Sequence, residues 1–168
     1  MRRTVAWTAV VVTALLLQST AFAQIKLLGA KPELLYLVTV VLAMLEGPAS
    51  GAIGGFAAGM AQDFLLNQPK GITALTLTLL GYVVGLVRQY IVTPSPALPV
   101  LIVGGATFVG LLFYGFVSFL LGQLSVGLGF LLRTAILSAI YNAVLTPFLF
   151  PLLRRVAESS RSTKVYRW

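Results

Sequence analysis

The sequence predicts an all-α fold, a bundle of six membrane-embedded helices, and three observations carry that prediction. Hydrophobic residues make up 58% of the 168 and charged residues only 10%, whereas a soluble domain carries about a quarter charged residues. Apolar stretches such as LVTVVLAML (37–45) lack the strict alternation that lipid-facing barrel strands need. Proline and glycine breakers divide the chain into pieces close to the ~20 residues that cross the hydrocarbon at ~1.5 Å per residue. In lipid every backbone polar group must be satisfied within the protein, so unalternating spans of this length are helices.

Taken in order, the helices are expected at about 4–23, 32–46, 48–66, 71–92, 97–122 and 128–153, in one transmembrane domain over 1–153, with a basic tail at 154–168. Arg2-Arg3, the apolar run Ala6–Leu17 and Ala21-Phe22-Ala23 before Gln24 have the form of a cleavable signal peptide. The same residues are long enough to span as a retained first helix, which is the reading adopted. Segment 32–46 is short and gains length from the preceding IKLLGA; the other five are long enough to cross. Gly47-Pro48 starts the third helix, since a proline in the first turn gives up an N–H that has no partner anyway. Pro69-Lys70-Gly71, TPSPALP (93–99) and Gly127/Gly129 separate the rest. The linkers leave no room for a soluble domain, and no inverted repeat of the kind found in secondary transporters is evident.

Orientation follows from the basic residues. With the N-terminus inside, Arg2, Arg3, Arg88, Arg154, Arg155, Arg161, Lys164 and Arg167 are cytoplasmic, against Lys26, Lys31 and Lys70 outside, with Arg133 within the sixth segment. Eight against three favours both termini in the cytoplasm. The net charge of +8 is thereby accounted for without a nucleic-acid partner, and the tail's basic residues suit anionic headgroups.

Two polar or flexible patterns interrupt the apolar sequence. Gly47, Gly51, Gly55 and Gly59 recur every four residues, and the next step lands on Asp63, the sole aspartate. Such spacing lets helix backbones approach closely, either inside the bundle or against a partner's helix. A carboxylate within a span costs about 2.5–3.5 kcal/mol on insertion scales, so it needs a partner or a task. Arg133 lies at a similar outer depth, and Thr73, Thr76 and Thr78 share that half of the membrane. Asp63 is therefore expected to pair with Arg133, with the threonines or outer water as alternatives. Thr134, Ser138, Asn142 and Thr146 form a second four-residue ladder, suited to bonds between helices or to a polar path. Asp63, Arg133, Thr76 and Asn142 are taken together as an intramembrane polar cluster.

Catalysis is not expected. The chain has no cysteine and no histidine, which removes thiolate and imidazole chemistry and their metal sites. A single aspartate rules out a two-aspartate protease, no P-loop occurs, and Glu33, Glu46 and Glu158 are too scattered for a metal site. No cofactor is implied.

The order of residues from 32 to 90 resembles the rod shape-determining protein MreD family, and the stretch KPELLYLVTVVLAMLEGPASGAIGGFAAGMAQDFLLNQPKGITALTLTLLGYVVG carries the pattern. A proline opens one short helix and a Gly-Pro turn follows. Gly54-Gly55-Phe56 and Gly59 then lead to Asp63, and Pro69, Gly71, Ala74-Leu75 and Gly81-Tyr82 continue the family's order. Lys70, where a smaller or apolar residue is expected, and the rich glycine–alanine content depart from it. The resemblance implies a non-enzymatic component of the bacterial inner membrane, in the elongation (rod-shape) machinery that directs peptidoglycan synthesis and cell shape. It further implies a fold similar to the six-helix substrate-binding subunits of energy-coupling-factor transporters. The partners it implies are MreC directly, and MreB filaments and the elongation peptidoglycan synthase indirectly. A scaffold that holds a partner's transmembrane helix is the favoured function, and a substrate-binding subunit of a vitamin-type transporter is the alternative.

Overall fold

The structure, a computed structural model, describes residues 2–20, 31–65, 71–90, 95, 97–123 and 127–160. These form six α-helices and no strand: α1 (Arg2–Ser19), α2 (Leu34–Glu46), α3 (Pro48–Leu65), α4 (Ile72–Val87), α5 (Leu98–Leu120) and α6 (Leu128–Ser160). A 3₁₀ turn, Arg88–Tyr90, follows α4. The Ala21–Ala23 motif, Lys26, Pro69-Lys70 and residues 161–168 lie outside the described residues.

Local chemistry sets the helix ends. Gly47 stops α2 at φ 95°, its N–H still bonded to the Ala43 carbonyl at 2.9 Å, and Pro48 then opens α3. A left-handed conformation at this corner favours glycine over any side chain. At the far end of α5, Gly122 has φ 67° and donates to the Phe119 carbonyl, while Gln123 N–H reaches the Ser118 carbonyl at 2.9 Å. This pair of bonds is the Schellman arrangement, which satisfies carbonyls the helix itself leaves open. α6 does not end at residue 153. It continues to Ser160 through Pro147 and Pro151, because Leu153 and Ala157 remain buried against the bundle, and an Arg154–Glu158 pair spans the added turn at 2.7 Å. The first residues of the basic tail are thus part of this helix.

Topology puts α2 at the centre. It touches all five other helices, while α1, α3, α4, α5 and α6 contact one another in that order and α6 returns to α1. Five helices therefore close a ring around a sixth. Ten residues in succession on α2, Leu34 to Ala43, are buried, which explains how a helix of 13 residues, ~20 Å long, serves in this fold. It meets protein on all sides, so it need not match the hydrocarbon thickness.

Three helical stretches among the described residues are long and apolar enough to cross a membrane: Ile72–Tyr90, Leu98–Leu120 and Leu128–Ser159. The expected first segment, 4–23, runs beyond the described residues, while glycine, alanine, Gln62 and Asp63 dilute the hydropathy of α3. Ile53, Phe56, Leu101, Phe119, Val144 and Phe148 stand exposed on the outer surface of the ring, as lipid-facing side chains would.

Candidate functional site

The glycine row on α3 meets α4. A methyl group built on Gly51 would stand 2.6 Å from the Gly81 carbonyl oxygen and 2.6 Å from the Ala43 side chain. At Gly55 it would run into the Leu77 carbonyl, and at Gly59 into the backbone of Ala74. α4 answers with Gly81 against Gly51 and Gly85 against Pro48. Two backbones thus touch along a seam where dispersion contact replaces the hydrophobic drive that lipid cannot supply. Gly47 stands apart: nothing lies within 4 Å of its added methyl, and its contribution is the corner described above.

Asp63 closes the seam from the end of α3. It is fully buried, and its Oδ2 accepts from Gly71 N–H at 2.8 Å and Ala74 N–H at 3.3 Å. Gly71 is the N-cap of α4 and carries no capping side chain of its own, so Asp63 supplies the cap from the preceding helix. The carboxylate meets the positive end of the α4 dipole as well as two otherwise unpaired donors. Arg133 is exposed, and no ion pair joins it to Asp63 among the described residues. The expected Asp63–Arg133 pair is therefore corrected: two backbone N–H groups eight and eleven residues ahead do the work assigned to a guanidinium on another helix. Thr76 is buried, but its hydroxyl donates back to the Ile72 carbonyl at 2.8 Å rather than to Asp63.

Asn142 belongs to a different network, centred on the start of α2. Residues Lys31, Pro32 and Glu33 are not helical, yet they lie beside the middle of α6. Ser138 Oγ donates to the Lys31 carbonyl at 2.9 Å, and Asn142 Nδ2 donates to the Glu33 carbonyl at 2.9 Å and to Thr107 Oγ1 at 3.0 Å. Ser138 is ten residues into α6, so the start of α2 sits about 15 Å along that helix. Irregular backbone at such depth is tolerated only where protein groups satisfy it, and the Ser138–Asn142 ladder supplies them. Thr146, one step further, bonds back to the Asn142 carbonyl at 2.6 Å.

The Glu33 side chain completes this layer. Gln18, near the end of α1, donates through Nε2 to Glu33 Oε2 at 2.7 Å and accepts from Leu35 N–H at 3.2 Å. Lys31 approaches the same carboxylate at 3.8 Å, and the Gln62 side chain also bonds to it. One carboxylate thus ties α1, α2 and α3 together. Glu33, Gln18, Gln62 and Thr107 were not singled out by their residue types. The signal was available: each is an isolated polar residue in apolar sequence. Gln18, Glu33 and Gln62 fall at the same end of the bundle once helices alternate in direction.

Among the described residues, three grooves run over the outside of the ring. One of about 520 Å³ separates α1 from α3 and is lined by Trp7, Val11, Ser50, Gly54, Ala57 and Ala61, among others. A second, about 450 Å³, separates α1 from α6 beside Val10, Leu17, Leu149 and Leu153. The third, about 580 Å³, lies between α5 and α6 at the end opposite the Glu33 layer. Grooves on both flanks leave α1 the least embedded helix, held at one end by Gln18. No group of three or more acidic residues suited to a metal ion occurs among the described residues.

No curated protein and no solved structure matches the chain in the comparisons made. The family model for the rod shape-determining protein MreD matches residues 1–156, so the match extends well beyond the stretch with the glycine row and the Asp63 cap. The chain is a member of the MreD family of rod shape-determining proteins.

Proposed function

We propose that this protein is a non-enzymatic scaffold of the elongation machinery in the bacterial inner membrane. In this reading it holds the transmembrane helix of MreC, and through MreC it communicates with MreB filaments and the elongation peptidoglycan synthase. The termini are cytoplasmic, as the basic residues favour.

The observation that carries the scaffold reading is the filled centre of the ring. α2 fills the middle of the ring, and the polar side chains of the Glu33 and Asp63 networks tie helices to one another. The open space is on the flanks. The α1–α3 groove suits a partner helix best, because α3 presents a second row of small residues there, Ser50, Gly54, Ala57 and Ala61, while its glycine row faces α4. Small residues let a foreign helix approach its backbone. The likeness to energy-coupling-factor subunits extends in this reading to the helix count and not to ligand binding.

The absence of native cysteine makes the test clean. A single cysteine at Ala57 is expected to cross-link in native membranes to a cysteine placed in the MreC transmembrane helix, and one at Leu101 on the exposed face of α5 is not. Cross-linking from Leu101 alone would move the partner to the other side of the ring. Stoichiometric retention of a vitamin-sized solute by the purified protein would favour the transporter alternative.

A further inference from the structure

We propose that the groove between α5 and α6 binds one anionic phospholipid, with its phosphate on Arg154 and an acyl chain laid along the apolar wall. This goes beyond the scaffold reading and does not depend on which partner the protein holds. The groove, about 580 Å³, is lined by Leu98, Val100, Pro147, Phe150, Pro151 and Arg154, among others, a size typical of ligand sites. Its lining is mostly hydrocarbon, with the hydroxyl residues Ser95 and Thr146 among it and one guanidinium at the rim.

Depth agrees with that assignment. From Leu128 to Arg154 is 26 helical steps, about 39 Å at ~1.5 Å each. The bilayer measures ~30 Å across its hydrocarbon and ~40–45 Å with headgroups, so a helix starting at one boundary brings Arg154 to headgroup level at the other. The side chain is 62% exposed and is steadied through Nε by Glu158 Oε1 at 2.7 Å, which leaves the outer edge of the guanidinium fork for phosphate oxygens. Arg155, exposed beside it, keeps the local charge positive despite Glu158. A choline or ethanolamine headgroup brings its own cation against these two; a glycerol headgroup does not.

The proline pair shapes one wall of the groove. Pro147 and Pro151 are four residues apart, so they share one face of α6 and line the groove with short rings. Leu153 and Ala157, buried at 5% and 2%, hold α6 to the bundle by another face.

Native mass spectrometry of the full-length protein, transferred to micelles with equal phosphatidylglycerol and phosphatidylethanolamine, tests this. One phosphatidylglycerol is expected to remain bound, at least fivefold over phosphatidylethanolamine. Arg154→Gln should remove that preference and Arg154→Lys should retain part of it. Val100→Trp fills the groove without changing charge and should remove the bound lipid altogether; Leu98→Phe serves the same purpose if that variant fails to fold. Neutralising Arg161 and Lys164 in the tail should change nothing. Equal retention of both lipids overturns the proposal. So does loss on neutralising the tail with the groove variants unaffected, which marks diffuse adhesion, and so does a second copy of the chain found in place of lipid.

Discussion

Replacing Gly51 by alanine should destabilise the fold although alanine is the better helix former. The methyl group would lie 2.6 Å from the Gly81 carbonyl oxygen, against about 3.4 Å for ordinary contact, so α3 and α4 must part by about 0.8 Å there. The obstacle on that side is backbone, which cannot rotate away, and the Ala43 side chain blocks the other direction at the same distance. Overpacking of this kind costs about 1–3 kcal/mol. Gly105 provides the control: it lies within α5, nothing stands within 4 Å of its added methyl, and alanine there gains up to about 1 kcal/mol of helix propensity. The propensity gain is common to both positions and cancels, so reversible unfolding in detergent should separate Gly51→Ala from Gly105→Ala by roughly 1–3 kcal/mol, the overpacking cost. Partner recovery from membranes distinguishes packing from docking. A folded Gly51→Ala protein that loses the partner helix proposed above would make the row a partner surface. Equal stability of the two variants would sink the argument that backbones touch along this seam.

Asp63→Asn should cost about 1–2 kcal/mol, because the cap keeps an acceptor but loses its charge at the α4 N-terminus. Combined with Arg133→Gln, the two losses should add within about 0.5 kcal/mol; partial recovery in the double variant would restore the ion pair. Asn142→Ala strips a donor from the Glu33 carbonyl and from Thr107, and at about 1–3 kcal/mol for a buried group left unpaired it should lower stability more than Thr134→Ala. Gln18→Ala should release the end of α1 first: hydrogen exchange at residues 10–19 is expected to rise while α4 stays protected, and uniform acceleration would show that Gln18 supports the whole bundle. Cysteines introduced at Gln123 and Ser159, exposed positions beyond opposite ends of the apolar run of α6, should label from opposite sides of the membrane, Ser159 from the cytoplasm. Labelling from the same side would overturn the topology.

The helical class and the corners at Gly47-Pro48 and Gly71 were legible in the sequence, because the forces that set them are local; the corner at Gly122 was not singled out. Lipid forbids unpaired backbone, proline and glycine interrupt helices wherever they stand, and a left-handed φ selects glycine. Family membership was legible for a related reason, since the glycine row, Asp63, Pro69 and Gly71 lie within about twenty-five residues of one another. Asp63 shows where that reading stopped. A carboxylate in an apolar helix visibly requires a partner, and a cation is the simplest one, but the donors it found are backbone N–H groups, which every residue except proline carries and no sequence distinguishes. Only the packing of α4 against α3 assigned them. The Ser138–Asn142 ladder was visible as a pattern and opaque in purpose, because the carbonyls it satisfies belong to residues over a hundred positions away. Tertiary structure alone placed α2 at the centre of the ring, too short to span and needing no span, and thereby sank the start of that helix about 15 Å along α6. That depth turns Glu33, Gln18 and Asn142 from scattered polar residues into one layer, since a polar group acquires its meaning from which other unpaired group the fold buries beside it.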